Sequence, residues 1–192
     1  MRRSLGPIVV LSLFPCAVFA QGLGVRAGLM RPEHFDMAFT FGAFGTYRAT
    51  PHLEMEGAID YWSRTETESY GRTYEKRKAS NLSLSGYTKH MLPLYGGALS
   101  LGVGGGFGIH FYHIEYRFED QTLILHESYD ETKYGIHVFW EASTRLSQKL
   151  SLSTRFKIGI VEDDTRFDLT IGLLVRDIYR PALIQRRNLD AN

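Results

Sequence analysis

Along most of this chain apolar and polar residues alternate one by one. Over residues 99–118, steps of two from Leu99 collect Leu101, Val103, Gly105, Phe107, Ile109 and Phe111 on one face. The positions between them are Ser100, Gly102, Gly104, Gly106, Gly108, His110 and Tyr112. Residues 132–146 repeat the pattern, with Tyr134, Ile136, Val138, Trp140 and Ala142 set against Gly135, His137, Phe139, Glu141, Ser143 and Arg145. A period of two belongs to a β-strand, whose successive side chains point to opposite faces. One face is apolar across a whole bilayer thickness, while the other is small, polar or charged. That pattern predicts strands with lipid on one side and a polar interior on the other.

The same alternation runs through residues 23–30, 37–48, 53–64, 79–90, 150–161 and 166–175. The weakest apolar face is that of 79–90. Eight strands result, each near the 9–11 residues or so that cross a bilayer. Breaks fall at Arg31-Pro32-Glu33, Thr50-Pro51-His52, Pro93, Ser147-Gln148-Lys149 and Glu162-Asp163-Asp164, in residues that favour turns. Residues 64–78 form the longest hydrophilic stretch and predict a loop with the strand ends that carry it; a second loop is expected over residues 119–130. An open sheet in lipid would leave unpaired backbone at its edges. The expected fold is therefore all-β, an eight-stranded antiparallel up-and-down transmembrane β-barrel. Short turns at one end and long connections at the other predict periplasmic and extracellular ends respectively.

The inward positions carry charge of both signs. Arg26, Arg48, Lys89, Arg145, Arg155 and Lys157 face Glu54, Glu56, Asp60, Glu141 and Asp168. Buried charges need partners, and an eight-stranded barrel is only wide enough for side chains to fill. A lumen plugged by ion pairs is expected. Gly102, Gly104, Gly106 and Gly108 leave four empty positions on one wall, room for Phe44, Trp62, Tyr87 or Phe139 from the others. A soluble lipocalin-like barrel would reverse the two faces and bury several arginines and glutamates in an apolar pocket, which makes it the weaker alternative.

Composition adds a compartment. The chain has 192 residues and a formal net charge of +1, with a mean hydropathy of -0.18. Such an average hides a membrane barrel, because only alternate residues meet lipid. Arg2 and Arg3, a short apolar run over residues 5–14, and small Val18 and Ala20 have the form of a secretory signal peptide cleaved after Ala20. Cleavage removes Cys16, the only cysteine, so the mature chain has no disulfide. The charge balance and the absence of a basic, aromatic-interleaved cluster give no ground for nucleic-acid binding. The expected division is signal peptide 1–20, barrel 21–176 and periplasmic tail 177–192.

The candidate chemistry is thin. The glycines of residues 102–108 fail the phosphate-loop spacing, and no helix follows them. His110 and His137 point inward and would face each other if the connecting loop centres near Leu123; two lumen histidines in a polar network outweigh a metal or pH-sensing pair. His113 lies three residues from His110 and so faces the other way. Glu54, Glu56 and Asp60 share a face as hydrolase carboxylates do, yet a charged lumen predicts the same. Ser69, His126 and Asp130 sit in the expected loops. Tyr47, Tyr61, Tyr134, Trp140 and Tyr179 suit interfacial girdles. No cofactor, metal or catalytic residue is expected.

Taken together, Gly24-Val25-Arg26-Ala27-Gly28, Phe41-Gly42-Ala43-Phe44-Gly45, residues 56–62, the glycine-rich strand and residues 167–173 resemble small bacterial outer-membrane β-barrels of the OmpA/OmpX-like, porin-like type. The resemblance covers roughly residues 23–175. It implies residence in outer-membrane lipid after insertion by the barrel-assembly machinery. Such barrels end on an aromatic residue closing the last strand; here Asp177 interrupts the register and Tyr179 is the nearest aromatic. The expected role is structural or surface-interacting, through residues 64–78 and 119–130. A narrow channel for small solutes and a rim-site enzyme are the alternatives.

Overall fold

A computed structural model describes residues 20–32, 35–70, 73–120, 123–162 and 164–176. Residues 1–19 of the expected 1–20 leader and the C-terminal extension, residues 177–192 with Tyr179, lie outside the described residues.

The chain forms eight strands: β1 (Gly22–Arg31), β2 (Ala38–Arg48), β3 (Leu53–Tyr70), β4 (Thr73–Leu94), β5 (Leu99–Glu119), β6 (Ile124–Arg145), β7 (Leu150–Val161) and β8 (Asp164–Arg176). They pair in chain order, and β8 closes on β1 with Gly22 opposite Arg176 and Met30 opposite Asp168. Every neighbouring pair is antiparallel. Closure leaves no sheet edge within the cylinder, which a backbone in lipid requires.

The alternation decides which wall each side chain occupies. Phe107 is 68% exposed, Ile136 69% and Val25 60%, and Leu29, Phe41, Trp140, Phe156 and Ile171 lie on the same outer wall. These side chains meet lipid. Arg26, Glu56, Asp60, Lys89, Glu141 and Arg155 are buried inside. Two aromatic layers share the lumen with them: Phe44, Ala58, Tyr87, Phe139 and Leu174 in one, and Met30, Ala38, Trp62, Ala79 and Tyr112 in the other. Arg166 and Leu174 also turn inward, as strand parity requires of even positions in β8.

The two long loops are a correction. Residues 64–70 and 73–78 are strand, with Tyr70 opposite Thr73. Glu119 and residues 124–130 are strand, and between them the Asp120 N–H donates to the Leu123 carbonyl at 2.8 Å. Hydrophilicity alone does not make a loop. Thr65, Thr67, Thr73 and Tyr74 favour extended backbone. Glu66 stands opposite Arg77, and Lys78 opposite Glu115, so cross-strand charges support the pairing. Strands β3 to β6 therefore continue past the apolar band as a four-stranded sheet. At the other end, Pro93 lies within β4, and the reversal falls on Tyr95, Gly96 and Gly97 with φ of 48°, 67° and 87°. Two glycines fit that run, because positive φ costs them little.

Glycines on the inner wall set how close the aromatics come. A Cβ on Gly104 would lie 2.5 Å from Phe139 Cζ and 2.7 Å from the Thr88 carbonyl oxygen. One on Gly106 would lie 2.8 Å from Tyr87 Cδ1. Gly102 makes room for Met91 instead, and Phe44 packs over Gly24 on the opposite wall. Trp62 stands against Phe35 and Tyr112 rather than over the glycine row. Urea unfolding in micelles should show Gly104→Ala less stable by about 1–3 kcal/mol, the usual cost of overpacking; an unchanged midpoint would mean that the lumen has slack there.

Candidate functional site

The lumen cluster centres on Glu56, which β3 projects to the axis as every second residue there points inward. Its side chain is fully buried. Arg26 Nη1 donates to Glu56 Oε1 at 2.8 Å from β1, and Arg155 Nη1 to the same oxygen at 2.7 Å from β7. Lys89 Nζ reaches Oε2 at 3.4 Å from β4. Arg26 turns its other nitrogens onto Asp60, with Nε to Oδ1 at 2.7 Å. Lys89 also lies 2.9 Å from Glu54 Oε1 and 2.9 Å from Glu141 Oε1, and Arg155 Nε donates to Glu141 Oε2 at 2.9 Å. Higher up, Lys157 Nζ pairs with Asp168 Oδ2 at 2.7 Å.

Phe139 packs under Arg155, ring centroid to Cζ 4.2 Å, and Arg26 and Arg155 both lie over Tyr87 at 5.9 and 5.6 Å. Charged side chains from β1, β3, β4, β6 and β7 thus meet in one block between aromatic rings. Two of the expected lumen charges stand apart from it. Arg48, with its side chain 41% exposed, reaches Glu54 at 3.5 Å from the short-turn rim. Arg145 is exposed at that rim, and no carboxylate pairs with it among the described residues. Arg166 joins the lumen with its guanidinium 4.9 Å from the Tyr112 ring. Counting inward positions one step back along β8 finds it.

His110 and His137 approach to 3.2 Å between their Nε2 atoms. The β5–β6 register differs from one centred on Leu123, so Lys133 stands opposite His110 and Gly106 opposite His137. The rings meet diagonally across the Gly108–Gly135 pair, where a Cβ on either would come within 3.2 Å of a histidine nitrogen. Among the described residues no group of three or more His, Cys, Asp or Glu is placed to hold a metal ion.

Ser69, His126 and Asp130 do not converge. All three lie in strands, β3 holding the first and β6 the others. Three strand spacings separate Ser69 from β6, about 14 Å at ~4.8 Å each. Asp130 binds His113 instead, Oδ1 to Nδ1 2.7 Å, with Glu115 Oε1 3.1 Å from its Nε2. Hydrogen bonds to Asp130 and then Glu115 hold the His113 pKa above its ordinary value. His113 stands outside the apolar band, on the protruding sheet.

An antiparallel cylinder of eight strands, greasy outside and ionic within, defines a small transmembrane β-barrel. The chain belongs to the outer membrane protein beta-barrel domain family, whose profile matches residues 8–176. Three solved structures show the likeness in fold. A major outer membrane protein from Thermus thermophilus is 13% identical with a TM-score of 0.57, over 81% of this chain and 98% of that one. Ail, the attachment invasion locus protein of Yersinia pestis, is 12% identical with a TM-score of 0.51, over 81% and 95%. The N-terminal β-barrel domain of Pseudomonas aeruginosa OprF is 10% identical with a TM-score of 0.50, over 81% and 98%. No curated protein matches the sequence.

Removing one partner from a buried ion cluster strands the others. Glu56→Gln should destabilise the refolded protein by about 3–5 kcal/mol in micelles. Glu75→Gln, which breaks only the exposed Arg77 pair, should change stability by less than about 1 kcal/mol. Equal effects would show that the Glu56 cluster contributes nothing particular.

Proposed function

We propose that this outer-membrane barrel is a non-enzymatic surface-interaction protein, closed to solutes and presenting its β3–β6 sheet outside the cell. One observation carries the reading: the polar length of the chain is spent on strands that outrun the membrane. β7 pairs with β6 only from Gly135 onward, so residues 124–133 of β6 have no strand on their outer side among the described residues. The opposite edge, beyond Trp62 of β3, has Asp36 beside it, whose N–H donates to the Glu66 side chain at Oε1, 2.7 Å. The β6 edge is the freer one, and Leu123, Ile124 and Tyr129 beside it are 54%, 74% and 47% exposed. An unpaired edge with apolar residues at its tip suits strand addition by an extended partner.

Charge narrows the partner. Residues 114–133, which include the β6 edge, hold six carboxylates against two lysines and arginines, whereas residues 63–79 hold three against five. Ail has been solved with the heparin analogue sucrose octasulfate; the acidic β5–β6 half of the sheet of this chain favours a basic partner over a sulfated one. On this reading the end where all eight strands finish together is periplasmic and the end where β3–β6 overrun the apolar band is extracellular, and insertion depends on the barrel-assembly machinery.

A narrow channel for small solutes is the competing role, and planar bilayers separate the two. Wild-type protein should give no steady open level; a steady ohmic level would replace this reading with the channel. Cells displaying the protein should also bind a soluble lysine-rich peptide more than cells lacking it. That binding should fall when Glu66, Glu68, Glu127 and Glu131 are changed together to glutamine. Binding no greater than the control would remove the partner role.

A further inference from the structure

The short-turn mouth of the barrel has the opposite character to the protruding sheet. Arg48 at the end of β2, Arg145 at the end of β6 and Arg176 at the end of β8 line one cavity of about 70 Å³, together with Ser100, Ser143 and Ser151. Ser143 and Ser151 are buried at 6% and 3% exposure. Arg176 Nε donates to Ser151 Oγ at 3.2 Å, which fixes one guanidinium on the cavity wall.

Among the described residues acid is scarce here. Glu54 Oε2 lies 3.5 Å from Arg48 Nη2 and 3.5 Å from Arg176 Nη1, so two guanidiniums lean on one carboxylate oxygen. The other oxygen of Glu54 is taken by Lys89 at 2.9 Å. Lys149 adds a further cation in the turn before β7, and residues 49–52, 94–98 and 146–149 contain no Asp or Glu. Like charges this close repel unless an anion joins them. The ring thus holds more positive charge than Glu54 neutralises, and Arg145 lacks a carboxylate partner among the described residues.

We propose that this mouth is a binding site for a phosphate-type oxyanion. Guanidinium forks match the spacing of phosphate oxygens and donate two parallel hydrogen bonds. Serine hydroxyls supply further donors from the wall. The cavity is small and its polar lining is arginine and serine, which suits a compact tetrahedral anion. Three arginines from different strands surround such a group better than they surround a flat carboxylate. The phosphate has two sources, a free ion or the headgroup of a lipid in the adjoining leaflet.

The test uses the whole protein in dodecyl maltoside, free of phosphate. Titration calorimetry with inorganic phosphate should give saturable one-to-one binding. Arg145→Gln should weaken it about tenfold, the usual loss of a charge-assisted contact. Arg117→Gln, on the far side of the membrane, should leave it unchanged. Heat-modifiable gel mobility checks that each variant is folded. In phosphatidylcholine vesicles carrying phosphatidic acid, phosphorus NMR identifies the source. Headgroup broadening with wild-type protein but not with Arg145→Gln assigns the lipid; binding of inorganic phosphate without broadening assigns the free ion. Absence of saturable binding in both settings overturns the proposal. So does binding that Arg145→Gln leaves intact, or that Arg117→Gln weakens equally.

Discussion

The contact on which this molecule depends is the three-cation grip on Glu56. A barrel in lipid must close its backbone hydrogen bonds on themselves, and closure creates an interior that eight strands make too narrow for bulk water and too polar for an oily core. Glu56 resolves that by receiving Arg26, Lys89 and Arg155 from three other strands. Each of those cations reaches a further carboxylate, Asp60, Glu54 or Glu141. The result ties walls that are distant in sequence, Glu56 and Arg155 being 99 residues apart. Hydrogen bonding along the strands makes the sheet, and the ion cluster gives the cylinder its filling.

That filling divides the molecule into two working ends. With the axis occupied, the polar surface available to other molecules lies beyond the apolar band. At one end the β6 edge of the protruding sheet is acidic. At the other, arginines crowd a small mouth, two of them leaning on Glu54. The charge asymmetry follows from where the surplus side chains fall once the central charges have found partners. It also separates the roles proposed for the two ends by chemistry: an extended, acidic edge for a protein partner and a compact, basic cup for an oxyanion.

Much of this was legible in alternation alone. Parity puts Arg26, Glu56, Lys89 and Arg155 on the inner wall and Phe107, Ile136 and Ile171 on the outer, because a strand in a closed barrel has no third option. The size of the protruding sheet was not legible, since polarity in residues 64–78 and 119–130 signals solvent and says nothing of extension; threonines and cross-strand charge pairs were the signal for strand. Parity also overstates what it finds. Arg145 has the inward phase but sits where the barrel ends, so it faces the mouth and not the cluster. Which rings meet is beyond parity altogether: His110 and His137 touch across a diagonal that depends on a register shift of a few residues and on two facing glycines.

Two tryptophans allow the sidedness to be measured directly. Trp62 is 3% exposed within the lumen and Trp140 is 50% exposed on the outer wall. Trp140→Phe and Trp62→Phe leave one fluorophore each, and vesicles of lipids brominated along the acyl chains quench only indoles that touch them. The account predicts strong quenching of Trp140 and little of Trp62. Equal quenching of the two, or stronger quenching of Trp62, would contradict it.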